Sequence, residues 1–516
     1  MQKLPIGIQT FENIRLNNYL YVDKTKQILN LINHGECYFL SRPRRFGKSL
    51  TLSTIEAMFK GQSELFKGLY AEEWVKEQSK NPNPVIKLDI GALSGYKNSD
   101  ELNEYLIENI NAFLYVNDLN IPLKKSADVL LFNVIVELYK QFGKVVVLID
   151  EYDKPITDNI SNLKKAEEMR EILRSFYLVL KSSSQYLKFV MITGVSKFSK
   201  VGVFSGLNNL NDISMGEDYS DIVGYTQQEL EDNFGDWIEK VSQKLSMSRE
   251  ELLKNVKLYY DGFSFDGITR LYNPFSVLNF FSKGDFRNYW YNSAMPSFLV
   301  KYLKSHKIKE PKEYIQKKVF EDFVNSREIE NATVESFLYQ AGYLTIAEKK
   351  GSLITLDYPN EEVRSSMDQL FLENFYNVEG PAFSDNIWMA LENNDLKEAV
   401  NIFNEVLKGI PYDDYPNRDE AWYRTLFVML LRVIGITYFA EVHNYKGRSD
   451  VVILLKNKVI ILEFKFAKNS RQVSKMRKLG EEQIKNRDYA SPYKNTGKEI
   501  ITAVIIANDD KRQVTL

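Results

Sequence analysis

Two stretches of this chain carry residue types that suit phosphate chemistry. The first runs Cys37-Tyr38-Phe39-Leu40-Ser41-Arg42-Pro43-Arg44-Arg45-Phe46-Gly47-Lys48-Ser49-Leu50, an apolar strand entering a turn and then a helix. A nucleoside triphosphate needs backbone N–H groups at a helix start, where the dipole favours negative charge. Gly47 lets the backbone approach, Lys48 reaches the β- and γ-phosphates, and the Ser49 hydroxyl holds Mg²⁺. Arg44, Arg45, Phe46 and Leu50 complete the candidate nucleotide cradle. The usual spacing of such loops begins with glycine, and here that position is Arg42. Gly47-Lys48-Ser49 alone reads equally as a turn before an ordinary helix.

A second site lifts that reading. Lys144-Val145-Val146-Val147-Leu148-Ile149 is an apolar run ending in Asp150-Glu151-Tyr152-Asp153. Phosphoryl transfer depends on positioning and charge neutralisation more than on covalent chemistry. Asp150 is expected to support the Mg²⁺, and Glu151 to orient and activate the attacking water. The plainer alternative is a buried parallel strand whose acids cap the next turn. Both motifs in order, each on a predicted strand, point to ATP binding and hydrolysis. Lys48 is expected at an exposed helix start.

The last hundred residues offer a different chemistry. Asp450-Val451-Val452-Ile453-Leu454-Leu455 and Val459-Ile460-Ile461-Leu462-Glu463-Phe464-Lys465-Phe466 flank the turn Lys456-Asn457-Lys458 and should pair as a hairpin. Folding about Asn457 brings Asp450 alongside Glu463, and strand alternation puts Glu463 and Lys465 on one face. Two carboxylates and a lysine on an apolar hairpin are costly without a compensating cation. A Mg²⁺ held by Asp450 and Glu463 meets that need, and Lys465 is placed to act on a water or a scissile phosphate. Glu420 opens an amphipathic helix upstream. Gln483 and Tyr489 lie downstream among Lys475, Arg477, Lys478, Lys485 and Arg487. That cluster suits phosphate contacts, or simply a solvated helix face.

The elements that must position these residues follow from periodicity. Asp23 is a good N-cap for a helix through Ile28, Leu29, Leu31 and Ile32, and Asn98 with Glu101 resembles a helix-start box. Strands at 85–90, 145–150 and 187–194 alternate with helices near 98–114, 130–139 and 163–180, which predicts a parallel sheet covered on both faces. Thr193 and Ser196, ending the fourth strand, could sense a γ-phosphate or cap a loop. From Gly216 to Ser305 the chain is helical and rich in aromatics such as Tyr260, Phe263, Tyr272 and Trp290. Stacked bases would use aromatics, but the core of a helical lid is the better expectation. Val334 to Leu344 followed by a hairpin about Lys349-Lys350-Gly351 reads as a winged-helix-like module.

At 516 residues the chain exceeds one hydrophobic core. A net charge of −2 excludes a globally basic nucleic-acid binder. One cysteine, Cys37, rules out an intramolecular disulfide, and three histidines make a histidine-rich metal cluster a poor expectation. No leader-like apolar segment or long uncharged run stands out, so a cytoplasmic protein without membrane contact is expected.

The order Glu420, Gly447-Arg448-Ser449-Asp450, Glu463-Phe464-Lys465, Gln483 and Tyr489 resembles the PD-(D/E)XK nuclease superfamily. Ile6-Gly7-Ile8-Gln9-Thr10-Phe11, Tyr21-Val22-Asp23-Lys24-Thr25, Arg42 to Ser49 and Thr193-Gly194-Val195-Ser196-Lys197-Phe198-Ser199 resemble the bacterial AAA-ATPase-like family that carries such a C-terminal domain. The resemblance makes Arg42 a family habit. It implies Glu420 oriented towards a metal and Gln483 supporting the substrate. The expected fold is α/β: a P-loop NTPase parallel sheet (1–215) with a helical lid (216–305), a connector and winged-helix-like module (306–384) and a restriction-endonuclease-like domain (385–516). The expected cofactors are ATP and Mg²⁺. The expected partner is DNA or RNA, with copies of the chain itself admitted. The expected function is an ATPase coupled to a Mg²⁺-dependent nuclease; the alternative is a nucleotide-dependent switch whose nuclease fold binds without cutting.

Overall fold

Apolar runs without alternation belong inside a sheet covered on both faces. The computed structural model describes residues 1–92, 96, 98–122, 124–159, 162–197, 203–204, 206–294, 297–308, 310–324, 333–376, 381–410 and 418–516. In it β1 (Cys37–Ser41), β2 (Val85–Asp89), β3 (Val145–Asp150), β4 (Leu187–Gly194) and β5 (Asn211–Asp212) form one sheet in the order β2-β3-β4-β1-β5. Its pairings are all parallel, and every residue of β3 is buried. Helix α1 (Thr25–His34) precedes the sheet; α2 (Lys48–Phe59), α3 (Ser99–Val116), α4 (Ala127–Phe142) and α5 (Leu163–Ser182) lie in the crossovers that parallel strands require. The expected α/β architecture is present. β4 lies between β1 and β3, so the phosphate-loop strand and the acidic strand flank the strand ending in Thr193 and Gly194.

Capping matches the sequence at Asn98, while the N-cap expected at Asp23 falls one residue later, on Lys24. Asn98 accepts the Glu101 N–H at 2.9 Å. Asp23 accepts from the N–H and hydroxyl of Thr25 at 2.8 and 2.7 Å, capping α1 from one residue outside it. Its neighbour Lys24 turns the other way and pairs with Glu229 at 2.6 Å. Glu229 also closes a capping box with Thr226 at the start of α6 (Gln227–Asn233).

Helices α6, α7 (Gly235–Leu245), α8 (Arg249–Tyr260), α9 (Pro274–Lys283) and α10 (Tyr289–Ala294) form the helical region. Its aromatics are core: Tyr260, Tyr272 and Phe280 are fully buried, and Phe263 and Trp290 nearly so. No base can stack on rings that water does not reach. Helix α11 (Val334–Ala341) and the antiparallel strands β6 (Lys317–Phe320), β7 (Thr345–Lys350) and β8 (Leu353–Asp357), in the order β6-β8-β7, make a helix with a hairpin wing plus one strand.

Glu362 is fully buried and accepts from the Ser276 hydroxyl and the Trp290 N–H, both at 2.7 Å. Burial pushes its carboxyl from 4.5 up to about 8. The folded chain therefore keeps a proton that the unfolded chain releases, so the stabilisation is complete at acid pH and is lost as pH rises through about 8. Glu362→Gln should lessen the fall in Tm between about pH 4.5 and 8 by several degrees. Thermal melts across that range check this, and parallel falls in both proteins would assign the dependence elsewhere.

The chain falls into two compact units, Met1–Tyr302 with Lys312–Val363, and Leu303–Pro311 with Arg364–Leu516. In the second unit, β9 (Tyr438–His443), β10 (Arg448–Leu454), β11 (Lys458–Ala467), β12 (Glu499–Asn508) and β13 (Gln513–Thr515) form a mixed sheet in the order β13-β12-β11-β10-β9. Helices α12 (Leu396–Gly409) and α13 (Glu420–Ile434) precede it, and α14 (Val473–Asn486) lies in the crossover between the parallel pair β11 and β12. The turn at Asn457 joins β10 and β11 as expected, with Val451 opposite Leu462. Among the described residues no helix is long and apolar enough to cross a membrane.

Candidate functional site

The phosphate loop curls because Arg45 and Gly47 both take left-handed backbone angles, φ 66° and 101°. Gly47 is the N-cap of α2, and a Cβ there would meet nothing within 4 Å, so the helix start faces open space. That space is a cavity of about 320 Å³, lined by Arg44 to Leu50 and by Glu151. Its size suits a small ligand, and its floor of backbone N–H groups fits phosphate. Phe46 contributes backbone only, since its ring is buried edge-on to Phe263 and Phe265, at 4.9 and 5.6 Å between centroids.

Lys48 corrects one expectation. It is 7% exposed, and its ammonium donates to the carbonyls of Arg42 and Pro43 at 2.8 and 3.0 Å. Burial lowers its pKa, while the charges of Asp150, Glu151 and Asp153 oppose that shift. A helix start is exposed only when nothing folds over it, and here the loop folds back on the lysine. Arg42, in the usual glycine position, is 1% exposed. Its guanidinium donates to the carbonyls of Ser41 and Ser214 at 2.9 and 2.6 Å and lies 4.0 Å from the Phe265 ring.

The loop is gripped from outside as well. The Trp290 indole donates to the Arg44 carbonyl at 3.0 Å. Gly342, with φ 91°, allows a close approach, since a Cβ there would lie 2.7 Å from that of Pro43.

At the acidic strand, Asp150 accepts from the Thr193 hydroxyl at 2.5 Å and the Glu151 N–H at 3.0 Å. Glu151 has a left-handed φ of 51°, which aims its side chain against Gly91. Burial raises its pKa, and the Asp150 charge adds to the rise. Asp153 is instead committed to the following loop, accepting from the N–H and hydroxyl of Ser196 at 2.7 and 2.5 Å. Thr193 thus serves the acid that ends this strand and Ser196 one in the loop after it. Phe198 and Ser199 lie outside the described residues.

In the C-terminal unit, Asp450 accepts the Phe464 N–H at 2.7 Å through one oxygen and Arg424 at 2.7 Å through the other. Lys465 lies 2.6 Å from Glu463 and 3.9 Å from Glu420. Glu463 is 1% exposed, and its second oxygen, Oε2, is buried without a hydrogen-bond partner. Burial pushes the Glu463 carboxyl up to about 7. An orphaned carboxylate oxygen beside a second carboxylate fits a divalent cation. Among the described residues no group of three or more acidic, histidine or cysteine side chains is gathered to hold a metal. Gln483 stands further back: it donates to the Tyr489 hydroxyl at 2.9 Å, which donates to the Arg448 carbonyl at 2.6 Å.

Sequence reasoning missed several residues. Gln9, Lys154, Tyr225, Pro274 and Phe275 also line the nucleotide-sized cavity. Asp89 pairs in register with Asp150 at the strand ends. Arg424, one helical turn beyond Glu420, bridges Asp450 and Glu441; that spacing was its only sequence signal.

Comparison with known proteins agrees with both regions. A family model for a predicted AAA-ATPase matches residues 5–204, and one for the PD-(D/E)XK nuclease superfamily matches residues 418–515. A protein of Azotobacter chroococcum mcd 1, named only as an uncharacterized protein in the vnfD 5′ region, is 33% identical over 531 aligned positions, covering 99% of this chain and 98% of its own. Two solved structures also align at 10% identity. The Aeropyrum pernix ORC2 protein, in ADPNP and ADP complexes, has a TM-score of 0.24 over 67% of this chain and 92% of its own. CDC6p from Pyrobaculum aerophilum has a TM-score of 0.21 over 68% and 93%. Both scores fall below the range that marks a shared fold.

Proposed function

Since the chain belongs to the predicted AAA-ATPase family and carries a PD-(D/E)XK nuclease superfamily domain, we propose that it hydrolyses ATP and uses that cycle to govern Mg²⁺-dependent cleavage of DNA or RNA. The observation that carries the ATPase reading is the single cavity shared by Arg44 to Leu50 and Glu151. Lys48 leaves the Arg42 and Pro43 carbonyls and takes the β- and γ-phosphates, while loop N–H groups hold the remaining oxygens. Ser49 and Asp150 are the residues that would hold Mg²⁺, with Asp150 oriented by Thr193. Glu151, whose raised pKa suits a base, accepts a proton from the water that attacks the γ-phosphorus. The γ-phosphoryl group leaves as phosphate, and ADP remains.

At the second site Asp450 and Glu463 are the cation ligands. Mg²⁺ there would supply charge neutralisation and a more acidic water. Lys465 holds its charge where negative charge grows on phosphorus, Glu420 faces that lysine, and Gln483 steadies Tyr489 beneath the start of β10. Water adds to phosphorus and one phosphodiester P–O bond breaks. We place both sites in a soluble cytoplasmic protein, with the lid and winged-helix-like segments as the divisions 216–305 and 306–384.

Glu151→Gln is expected to keep ATP binding while slowing hydrolysis by about a hundredfold or more. Turnover at the parent rate would remove Glu151 as base, and with Asp153 committed to Ser196 the role would need another group. The overall test incubates the full-length chain with labelled single- and double-stranded DNA and RNA, with Mg²⁺ or Mn²⁺, with and without ATP. One observation favours the second reading, a switch that binds nucleic acid uncut: Arg424 and Lys465 already neutralise Asp450 and Glu463. No cleavage of any substrate would select it.

A further inference from the structure

Arg424 has no step in the cleavage described above, yet it sits against the ligand Asp450. Its NH1 lies 2.7 Å from Asp450 Oδ1 and its NH2 2.9 Å from Glu441 Oε1. Because Asp450 Oδ2 takes the buried Phe464 N–H, Oδ1 is the oxygen without a backbone commitment. That is the oxygen a cation would need. Glu441 sits on β9 with a left-handed φ of 55°, between the pairs Ser449–Val442 and Val451–Ala440, and so faces Asp450 across the strands. Like charges opposed on adjacent strands repel, and the guanidinium fork lies between them. A strained backbone held at such a point is the kind that accumulates at functional sites.

The charges around it are uneven. Glu420, Glu441, Asp450 and Glu463 face Arg424, Arg448 and Lys465, four negative groups against three positive ones. A divalent cation at Asp450 and Glu463 reverses that balance and repels the adjacent guanidinium. A phosphodiester, with one negative charge, restores neutrality and offers two oxygens to a planar fork.

We propose that Arg424 is an exchangeable counter-cation: it holds Asp450 while no metal is bound, and when Mg²⁺ takes its place it turns, tethered by Glu441, onto the scissile phosphate. This rests on reading Asp450 and Glu463 as the cation ligands. Metal and nucleic acid then bind synergistically, since the metal releases the group that clasps the phosphate and the phosphate draws that group away from the metal's ligand. The site stays electrostatically quiet until both are present.

The test uses full-length chain, Mn²⁺ titrations read by electron paramagnetic resonance, and anisotropy of fluorescein-labelled DNA and RNA oligonucleotides. In the wild type, Mn²⁺ should tighten oligonucleotide binding severalfold. Arg424→Ala should bind Mn²⁺ about tenfold more tightly, because the competing charge is gone, and should lose the synergy. Arg424→Lys, which keeps the charge without the fork, should hold Mn²⁺ near the wild-type affinity and still lose most of the synergy. A folded Arg424→Ala chain, judged by circular dichroism, whose Mn²⁺ affinity is unchanged or weaker overturns the exchange and leaves the metal site standing. Should Arg424→Ala not fold, Arg424→Lys decides, and synergy retained there overturns the proposal. A wild type that binds no Mn²⁺ overturns the metal-site reading, and this proposal with it.

Discussion

Lys48→Ala should raise the Kd for ATP by at least about a hundredfold, roughly 3 kcal/mol, because charge-assisted hydrogen bonds to phosphate are among the stronger ones. Its effect on the folded chain should be small for a reason specific to this loop. The ammonium is buried against the Arg42 and Pro43 carbonyls, so the substitution strips two acceptors of a partner but also removes a charge that burial disfavours. Lys48 lines the cavity, so water entering it can reach both carbonyls. The expected outcome is loss of nucleotide binding with a Tm close to the parent's, measured by titrating a fluorescent ATP analogue and by thermal melts. Unchanged affinity would remove the phosphate-loop reading altogether.

The second large effect is expected at the hairpin. Asp450→Ala, Glu463→Ala and Lys465→Ala should each abolish metal-dependent cleavage while ATP turnover continues, since the two sites lie in separate compact units. They should fail differently. Asp450 and Glu463 must be ionised to hold the cation, so either loss should lower Mn²⁺ affinity. Loss of Lys465 should leave Mn²⁺ bound and slow the chemical step. Asp450→Ala also orphans the Phe464 N–H and releases Arg424, so Asp450→Asn is the gentler control. Glu420 and Gln483 variants should show partial defects. Cleavage persisting equally in all three would point away from this hairpin.

How much of this could be read in advance depended on whether the determinant was local. The strand ending at Asp150, the cap at Asn98 and the hairpin about Asn457 are set by neighbouring residues and lie where the sequence places them, whereas the N-cap expected at Asp23 falls on Lys24. The approach of Asp450 to Glu463 followed from a two-residue period and a turn. By contrast, the placing of β4 between β1 and β3 depends on crossovers that no local pattern encodes. Lys48 was misplaced because its burial comes from the loop's own fold-back. Arg42 was visible only as a departure, since its partners Ser214 and Phe265 lie about 170 and 220 residues away, beyond any window of periodicity. Arg424 was hidden in an amphipathic helix, where a charged residue is unremarkable until Glu441 and Asp450 arrive from other elements.

The division of the chain into units also imposes a timetable. All but a short piece of the second unit, from Arg364 onward, is translated after Val363 completes the first. At about 5–20 residues per second, those final residues, about 150 in number, take roughly 8–30 seconds to make, far longer than most domains need to fold. Asp450 and Glu463 lie on β10 and β11, and β11 cannot gain its parallel neighbour β12 until Glu499 and the residues after it exist. The first unit is therefore translated in full before the sheet that carries Asp450 and Glu463 can assemble.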